Sequence, residues 1–361
     1  MNGHAFPYPK PTRAPDEGVA LLLALLFVVL LTVLVVEHAY EMRVEASFVE
    51  NNVTLFQAEL AARSAVAYGY SLLAADLEET AASGQEFAFD SRVDLWAEGL
   101  PCQQINDALM QCRIQDEYGK LNINALVKLT NGEENEYMVD AFRSLIERRG
   151  GEPDVVDAIL DWIDTDDEMR PAGAEADYYA ALDPPYGCKN GPMGSVEELL
   201  LVVGMTSELF FGDPENPEEF PPLTELLTVH GDPLGRVNVN TAKYPVLEAM
   251  ADAIGQSGLA ETILDWQENG DPVTSRADAE ARGLLDPIEQ RGNVRAQTSV
   301  RAQTEVVERR PEVWTWSSDV FQVEGMGLYE SAMVRIQAFV WRDSGQEAAE
   351  MFRTLDWRVT Q

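Results

Sequence analysis

Residues 19–36 form an uninterrupted apolar run, VALLLALLFVVLLTVLVV, 18 residues without a charged side chain. At 1.5 Å per residue, a helix of that length measures about 27 Å, close to the ~30 Å hydrocarbon core of a bilayer. The run is mostly Leu and Val with no Pro or Gly, so it predicts a spanning helix. A secretory signal peptide has a shorter apolar core followed by a small-x-small cleavage site. Here the run continues into Glu37, His38, Ala39, Tyr40 and Glu41, which are charged and helix-compatible. An uncleaved signal anchor is the competing reading. From residue 37 to residue 79 there is no Pro and one Gly, Gly69. Val44, Phe48, Leu55, Ala58, Ala62, Ala65, Val66, Leu72 and Leu73 recur at helical spacing. The pattern predicts one helix of roughly 60 residues, apolar first and amphipathic second.

With 361 residues the chain has room for two or three domains, each with its own core. Its 26 Lys and Arg stand against 62 Asp and Glu, a formal charge of −36. Phosphate backbones and anionic headgroups need a basic footprint, so nucleic acid is excluded as a partner. Such a surface attracts divalent cations and basic partners, or serves solubility alone. Nothing points to catalysis, and no enzyme is expected. His4, His38 and His230 are scattered, and no Ser/His/Asp set, P-loop or dinucleotide glycine pattern occurs. Cys102 and Cys112 lie in a strand–turn–strand segment. They read as a disulfide outside the cytoplasm, or as small, partly buried hydrophobes inside it. Cys188 is left over in a Pro/Gly-rich loop.

The order of elements predicts an α+β fold: a long helix packed on an antiparallel sheet whose strands flank a large all-α insertion. Residues 86–98 read as a strand and loop, and 108–124 as two strands around Glu117-Tyr118-Gly119-Lys120. Helices are expected near 134–149, 153–164, 195–203, 221–229, 245–254, 260–267 and 275–285. Strands return at 314–323, 329–342 and 351–359. The boundaries are a leader at 1–18, the long helix at 19–80, and the first part of the sheet domain at 81–124. The insertion follows at 125–291, a linker at 292–310, and the rest of the sheet domain at 311–361. The linker repeats VRAQT at 294–298 and 300–304, too short to be a structural unit.

Residues 161–179, DWIDTDDEMRPAGAEADYY, are the densest chemistry in the chain. Asp161, Asp164, Asp166, Asp167, Glu168, Glu175 and Asp177 place seven carboxylates in 17 residues around a Pro171-Ala172-Gly173 turn. Their mutual repulsion is relieved by a hard cation with six to eight oxygen ligands, or by water around a solvated acidic loop. The EF-hand pattern is absent. Asn122/Asn124 and Asn238/Asn240 alternate with aliphatics before helical segments, as helix caps do, with a polar ligand role the alternative.

DWID, GAE, YY, PPY at 184–186 and VEELLLVVG at 196–204 occur in the order typical of the minor pseudopilin K family of type II secretion systems. So do LNINAL at 121–126 and RVNVNTA at 236–242. The chain resembles that family, and its long N-terminal helix resembles those of pilins and pseudopilins generally. The resemblance implies a pilin-like α/β domain with an inserted helical domain of helix-hairpin-helix or SAM-like type. It implies cleavage by the prepilin peptidase after Gly18, leaving Val19 as the new N-terminus. Leu23 stands at the fifth mature position, where most pilins carry Glu, a departure the K family shares. Asp16 and Glu17 precede Gly18, where a basic residue is commoner. Calcium is implied as the bound cation, with Asp161, Asp164, Asp166 and Glu175 or Asp177 as ligands. Pseudopilins I and J are implied as partners in a tip complex anchored in the bacterial inner membrane, with the head in the periplasm. The alternatives are a single-pass calcium-dependent binding protein or a minor pilin of a type IV pilus. RVNVNTAKYPVLEAM followed by IGQSGLAETILDWQ also resembles a helix-hairpin-helix, but its loop at 255–258 has no Lys or Arg.

Overall fold

The computed structural model describes residues 16–82, 89–217, 220–285, 312–343 and 351–360. It divides into two units, residues 1–57 and residues 58–361. Helix α1 (Asp16–Ala82) starts in the first and ends in the second. In the first unit, every described side chain of the apolar run is exposed. Its one hydroxyl, on Thr32, donates to the Val28 carbonyl at 2.7 Å, so no polar group is left unmet within the run. Among the described residues, this is the one helix long and apolar enough to cross a membrane.

The second unit explains why the same helix turns Ala-rich. Ala58, Ala61, Ala62 and Ala65 are buried, which lets the helix backbone approach a sheet closely. The sheet answers with glycine. A Cβ on Gly325 would stand 2.4 Å from the Ala62 carbonyl oxygen, and one on Gly327 2.1 Å from that of Ala58. Gly69 of the helix fits between Val323 and Cys112 for the same reason.

After α1 come α2 (Leu95–Glu98) and the strands β1 (Leu100–Ile105) and β2 (Ala108–Asp116). The insertion then supplies β3 (Leu121–Asn122), α3 (Glu136–Arg148), α4 (Val155–Ile163), α5 (Ala176–Ala180) and α6 (Ser207–Phe211). It continues through β4 (Leu227–Thr228), β5 (Val237–Asn238), α7 (Tyr244–Ala253), α8 (Leu259–Glu268), α9 (Arg276–Ala281) and β6 (Trp314–Thr315). Three long strands close the chain: β7 (Val320–Tyr329), β8 (Ala332–Arg342) and β9 (Phe352–Thr360). The antiparallel sheet has the order β1-β2-β7-β8-β9. Its neighbours β2 and β7 pair Asp116 with Phe321, so the whole insertion leaves and returns at one end of one ladder.

The insertion has one core, with Phe142, Leu145, Ile146, Ile159, Tyr179 and Phe210 among its fully buried members. Its helical periodicity predicts an all-α insertion, and the structure corrects that. Two short parallel pairs, β3 with β4 and β5 with β6, stitch it together. Each pair sits beside an Asn-x-Asn motif. Asn122 Oδ1 accepts the Asn124 N–H and Asn238 Oδ1 accepts the Asn240 N–H, both at 3.0 Å. The capping expectation describes Asn122, which caps the 3-10 turn Ile123–Leu126, whereas Asn238 closes a turn and the helix after it is capped at Lys243. The motifs also tie loops together, as Asn124 Nδ2 reaches the Met193 and Val229 carbonyls. Of the expected strand at 314–323, Trp314–Thr315 form β6 of this stitching, 316–319 are not in a strand, and β7 starts at Val320. Residues 195–203 and 221–229 hold short 3-10 turns and β4 in place of α-helices. Of the expected strand at 86–98, residues 89–94 form turns before α2, and 86–88 lie outside the described residues. The expected linker and its VRAQT repeat lie outside them as well.

Candidate functional site

Helix α4 is buried along its full length, Asp157 and Asp161 included. Charge inside a core needs a partner, and each aspartate has one. Asp157 meets Arg143 at 2.9 Å. Asp161 is fully buried and accepts from Arg170 Nη1 at 2.6 Å and from the Arg170 backbone N–H at 3.2 Å. The same Nη1 donates to Asp164 Oδ2 at 2.6 Å, while Nε reaches Glu134 at 3.0 Å. The loop closes tightly over Asp161, since a Cβ on Gly173 would lie 1.9 Å from Asp161 Oδ2. The Cys188 thiol sits beneath and donates to the Asp161 carbonyl at 3.6 Å.

Above this base, oxygens of Asp164, Asp166 and Glu175 lie within 4.8 Å of one another. Glu175 is 7% exposed, and neither of its carboxylate oxygens has a hydrogen-bond partner among the described residues. Asp164 Oδ1 and Asn190 Oδ1 are buried and unpartnered in the same way. Asn190, held at φ 44°, donates through Nδ2 to the Asp166 carbonyl and to Asp167 Oδ1. Burial pushes the Glu175 carboxyl up to about 7, helped by Asp161, Asp164, Asp167 and Asp166. Burial also raises Asp164, against the pull of Arg170.

The expected ligands thus separate. Asp164, Asp166 and Glu175 converge, Asp161 is held below them by Arg170, and Asp177 stands exposed on α5 outside the cluster. Three contributors were missed from sequence: Arg170, Gly173 and Asn190. The signal for the first was present, as Arg170 is the one cation among the loop's acids. Hard divalent cations take carboxylate and amide oxygens, and the unpartnered oxygens of Asp164, Glu175 and Asn190 are donors of that kind.

Cys102, Cys112 and Cys188 are all free. Cys112 points into the interface with α1 against Gly69, while Cys102 is exposed on the edge strand β1, so the two thiols leave the ladder in different directions. Gly18 and Val19 fall in the first turns of α1, and Val19 is exposed.

A second polar cluster lies where β2 and β7 meet the insertion. Arg342, nearly fully buried, bridges Asp90 at 2.5 Å and Asp76 at 3.0 Å. Asp116 accepts from Asn238, Thr241 and Ser318. Burial raises Asp116 to about 6, and burial together with the charge on Asp90 raises Asp76 to about 7 despite Arg342.

Residues 119–211, which contain the whole acidic loop, match the family profile of type II secretion system protein K. The chain matches the protein K family. It is 28% identical over 211 residues to type II secretion system protein K of Pectobacterium carotovorum subsp. carotovorum, covering 55% of this chain and 61% of that protein. Protein K of Aeromonas hydrophila is 29% identical over 216 residues, covering 55% of this chain and 62% of its own length. Protein K of Klebsiella pneumoniae is 30% identical over 206 residues, covering 54% and 60%. The chain therefore spans about three-fifths of the curated protein K relatives it matches. Its fold is shared with a chain of the solved GspK-GspI-GspJ complex of enterotoxigenic Escherichia coli, at a TM-score of 0.59 and 15% identity. That superposition covers 88% of this chain and 99% of the other. The match to protein K is to a component of a secretion machine, in keeping with a chain that is not an enzyme.

Proposed function

We propose that this chain is a minor pseudopilin at the tip of a type II secretion pseudopilus, where it helps initiate assembly and export across the outer membrane. One observation carries the reading. A helix with an exposed apolar run continues into a stretch that packs on a five-stranded sheet, and that sheet is interrupted by a domain of about 200 residues. A head widened in this way leaves little room for a further subunit to stack above it, which suits a cap. The partners in this reading are pseudopilins I and J, by analogy with the GspK-GspI-GspJ complex. The prepilin peptidase would cut after Gly18, the apolar helix would sit in the inner membrane, and the head would lie in the periplasm. The α7–α8 hairpin serves protein contact in this reading, because its turn between Gly255 and Gly258 carries no Lys or Arg.

Calcium is part of the proposal. Asp164, Asp166 and Glu175 would hold it, with the free amide oxygen of Asn190 beside them. The supporting observation is the pair of unpartnered oxygens on a buried Glu175, since a buried carboxylate without a partner is costly. A bound cation would neutralise repulsion among these groups and fix the loop. Arg170 holds Asp161 and one oxygen of Asp164, leaving the second Asp164 oxygen for the metal.

The tip reading is tested by intact mass and by co-purification from membranes co-expressing pseudopilins I and J. A mature N-terminus at Val19, lost in Gly18→Arg, together with retention of both partners, is the expected result. A full-length N-terminus and no partner in the eluate would instead favour a single-pass binding protein.

A further inference from the structure

Beside the acidic loop lies an aromatic face with no assigned role. Tyr179 of α5 is fully buried, 5.0 Å from the Trp162 ring and 5.4 Å from those of Tyr178 and Tyr186. It anchors two rings that open to solvent, as Tyr178 is 44% and Tyr186 36% exposed. The Tyr186 hydroxyl donates to the Leu201 carbonyl at 2.8 Å, and Leu201 is itself 45% exposed. Two half-exposed tyrosine rings packed on Tyr179, and Leu201 tied to one of them through its carbonyl, thus present apolar surface beside the loop.

The charge around that face is one-sided. Residues 161–183 contain eight carboxylates and a single cation, Arg170. A divalent cation together with Arg170 still leaves a formal −5. Asp177, next to Tyr178 on α5, is exposed and makes no ion pair among the described residues, and the same is true of Glu168 and Asp183. A surface meant for solubility mixes charge signs and hides its rings. A single-signed rim around exposed tyrosines is instead complementary to a cationic, partly aliphatic partner. Guanidinium groups stack on tyrosine and pair with carboxylates, and an aliphatic neighbour would cover Leu201.

We propose that the Tyr178–Tyr186–Leu201 face docks a protein segment in which Arg or Lys alternates with aliphatic residues, and that cation binding at Glu175 switches the face on. The coupling is short. The Glu175 carbonyl accepts the Tyr178 N–H at 2.9 Å and starts α5, so whatever fixes Glu175 fixes the ring beside it. This step rests on the cation reading; the face itself does not.

The test uses the full chain in zwitterionic nanodiscs, with empty nanodiscs as the blank. The probes are a fluorescent peptide of alternating Arg and Leu, its Glu–Leu counterpart, and calcium alone by calorimetry. The Arg–Leu peptide should bind about tenfold more tightly in calcium than in chelator. Tyr178→Ser with Tyr186→Ser should lose about tenfold in affinity at unchanged net charge while keeping the calcium heat, and Tyr186→Phe should stay near wild type. Peptide affinity indifferent to the tyrosine pair, or equal for the Glu–Leu peptide, would overturn the docking face even with calcium heat present. No calcium heat, with peptide binding still dependent on the tyrosines, would overturn the switch and its metal and retain the face.

Discussion

Ile-Leu-Asp-Trp occurs twice in the insertion, at 159–162 on α4 and at 263–266 on α8, and the two aspartates sit in opposite environments. Ile159 and Ile263 are both buried in the same core. Asp161 is buried, gripped by Arg170 and roofed by Gly173, whereas Asp265 is exposed and its carbonyl simply accepts the Asn269 side chain. The Asn-x-Asn motifs differ in parallel. Asn122 donates to the carbonyls of Gly231 and Asp232, while Asn238 donates to the Asp116 carboxylate and the Asp90 carbonyl. One helical pattern therefore packs both halves, and the loop that follows decides whether its aspartate becomes the base of a charged site.

Breaking the comparison at its tightest point should cost most. Gly173→Ala forces a methyl group into Asp161, and we expect a loss of about 2–4 kcal/mol together with the calcium response. Gly270→Ala, in the loop after α8, meets only Val93 at 3.6 Å and should cost about 1 kcal/mol from its positive φ. Denaturant titration separates the two. Asp161→Ala comes next, at roughly 2–3 kcal/mol, because Arg170 loses its fully buried partner and keeps Asp164 and Glu134 alone. Asp265→Ala should stay within about 0.5 kcal/mol, and equal losses at the two aspartates would end the comparison.

Glu175→Gln should act in two directions. Its folded carboxyl titrates near 7, above its ordinary value of 4.5, so between those values the folded state holds more protons than the unfolded one. Stability without metal therefore falls as pH rises through that window, and at pH 8 the glutamine variant should be more stable by about 1 kcal/mol. It should also lose calcium binding. A melting series from pH 5 to 8 in chelator checks the slope. The smallest effect belongs to the other half. Asp116 titrates near 6, so its contribution also declines as pH rises from about 4 to 6, and Asp116→Asn should flatten that part of the profile by under about 1 kcal/mol. Asn122→Ala should leave the profile's shape alone.

Much of this was legible from the residues. Uncharged length gave the apolar helix, its alanines gave the packed half, and strands on either side of a helical block gave the insertion. The acidic loop announced itself by density. What sequence left open depended on side-chain direction. Cys102 and Cys112 are neighbours along a hairpin, but one faces the helix and the other solvent. Asp177 is expected as a ligand from the resemblance yet is exposed on α5, because Glu175 caps that helix and Asp177 lies in its first turn. Two-residue strands such as β3 and β5 carry no period to read, so the stitching of the insertion was invisible. The Ile-Leu-Asp-Trp repeat was readable and would have exposed the two halves.

The claim that the first half alone carries the cation is tested most directly by calcium calorimetry on the full chain in nanodiscs, comparing Glu175→Gln with Glu268→Gln at the end of α8. The account predicts that the heat disappears in the first variant and is unchanged in the second. Heat that survives Glu175→Gln, or is lost with Glu268→Gln, would contradict it.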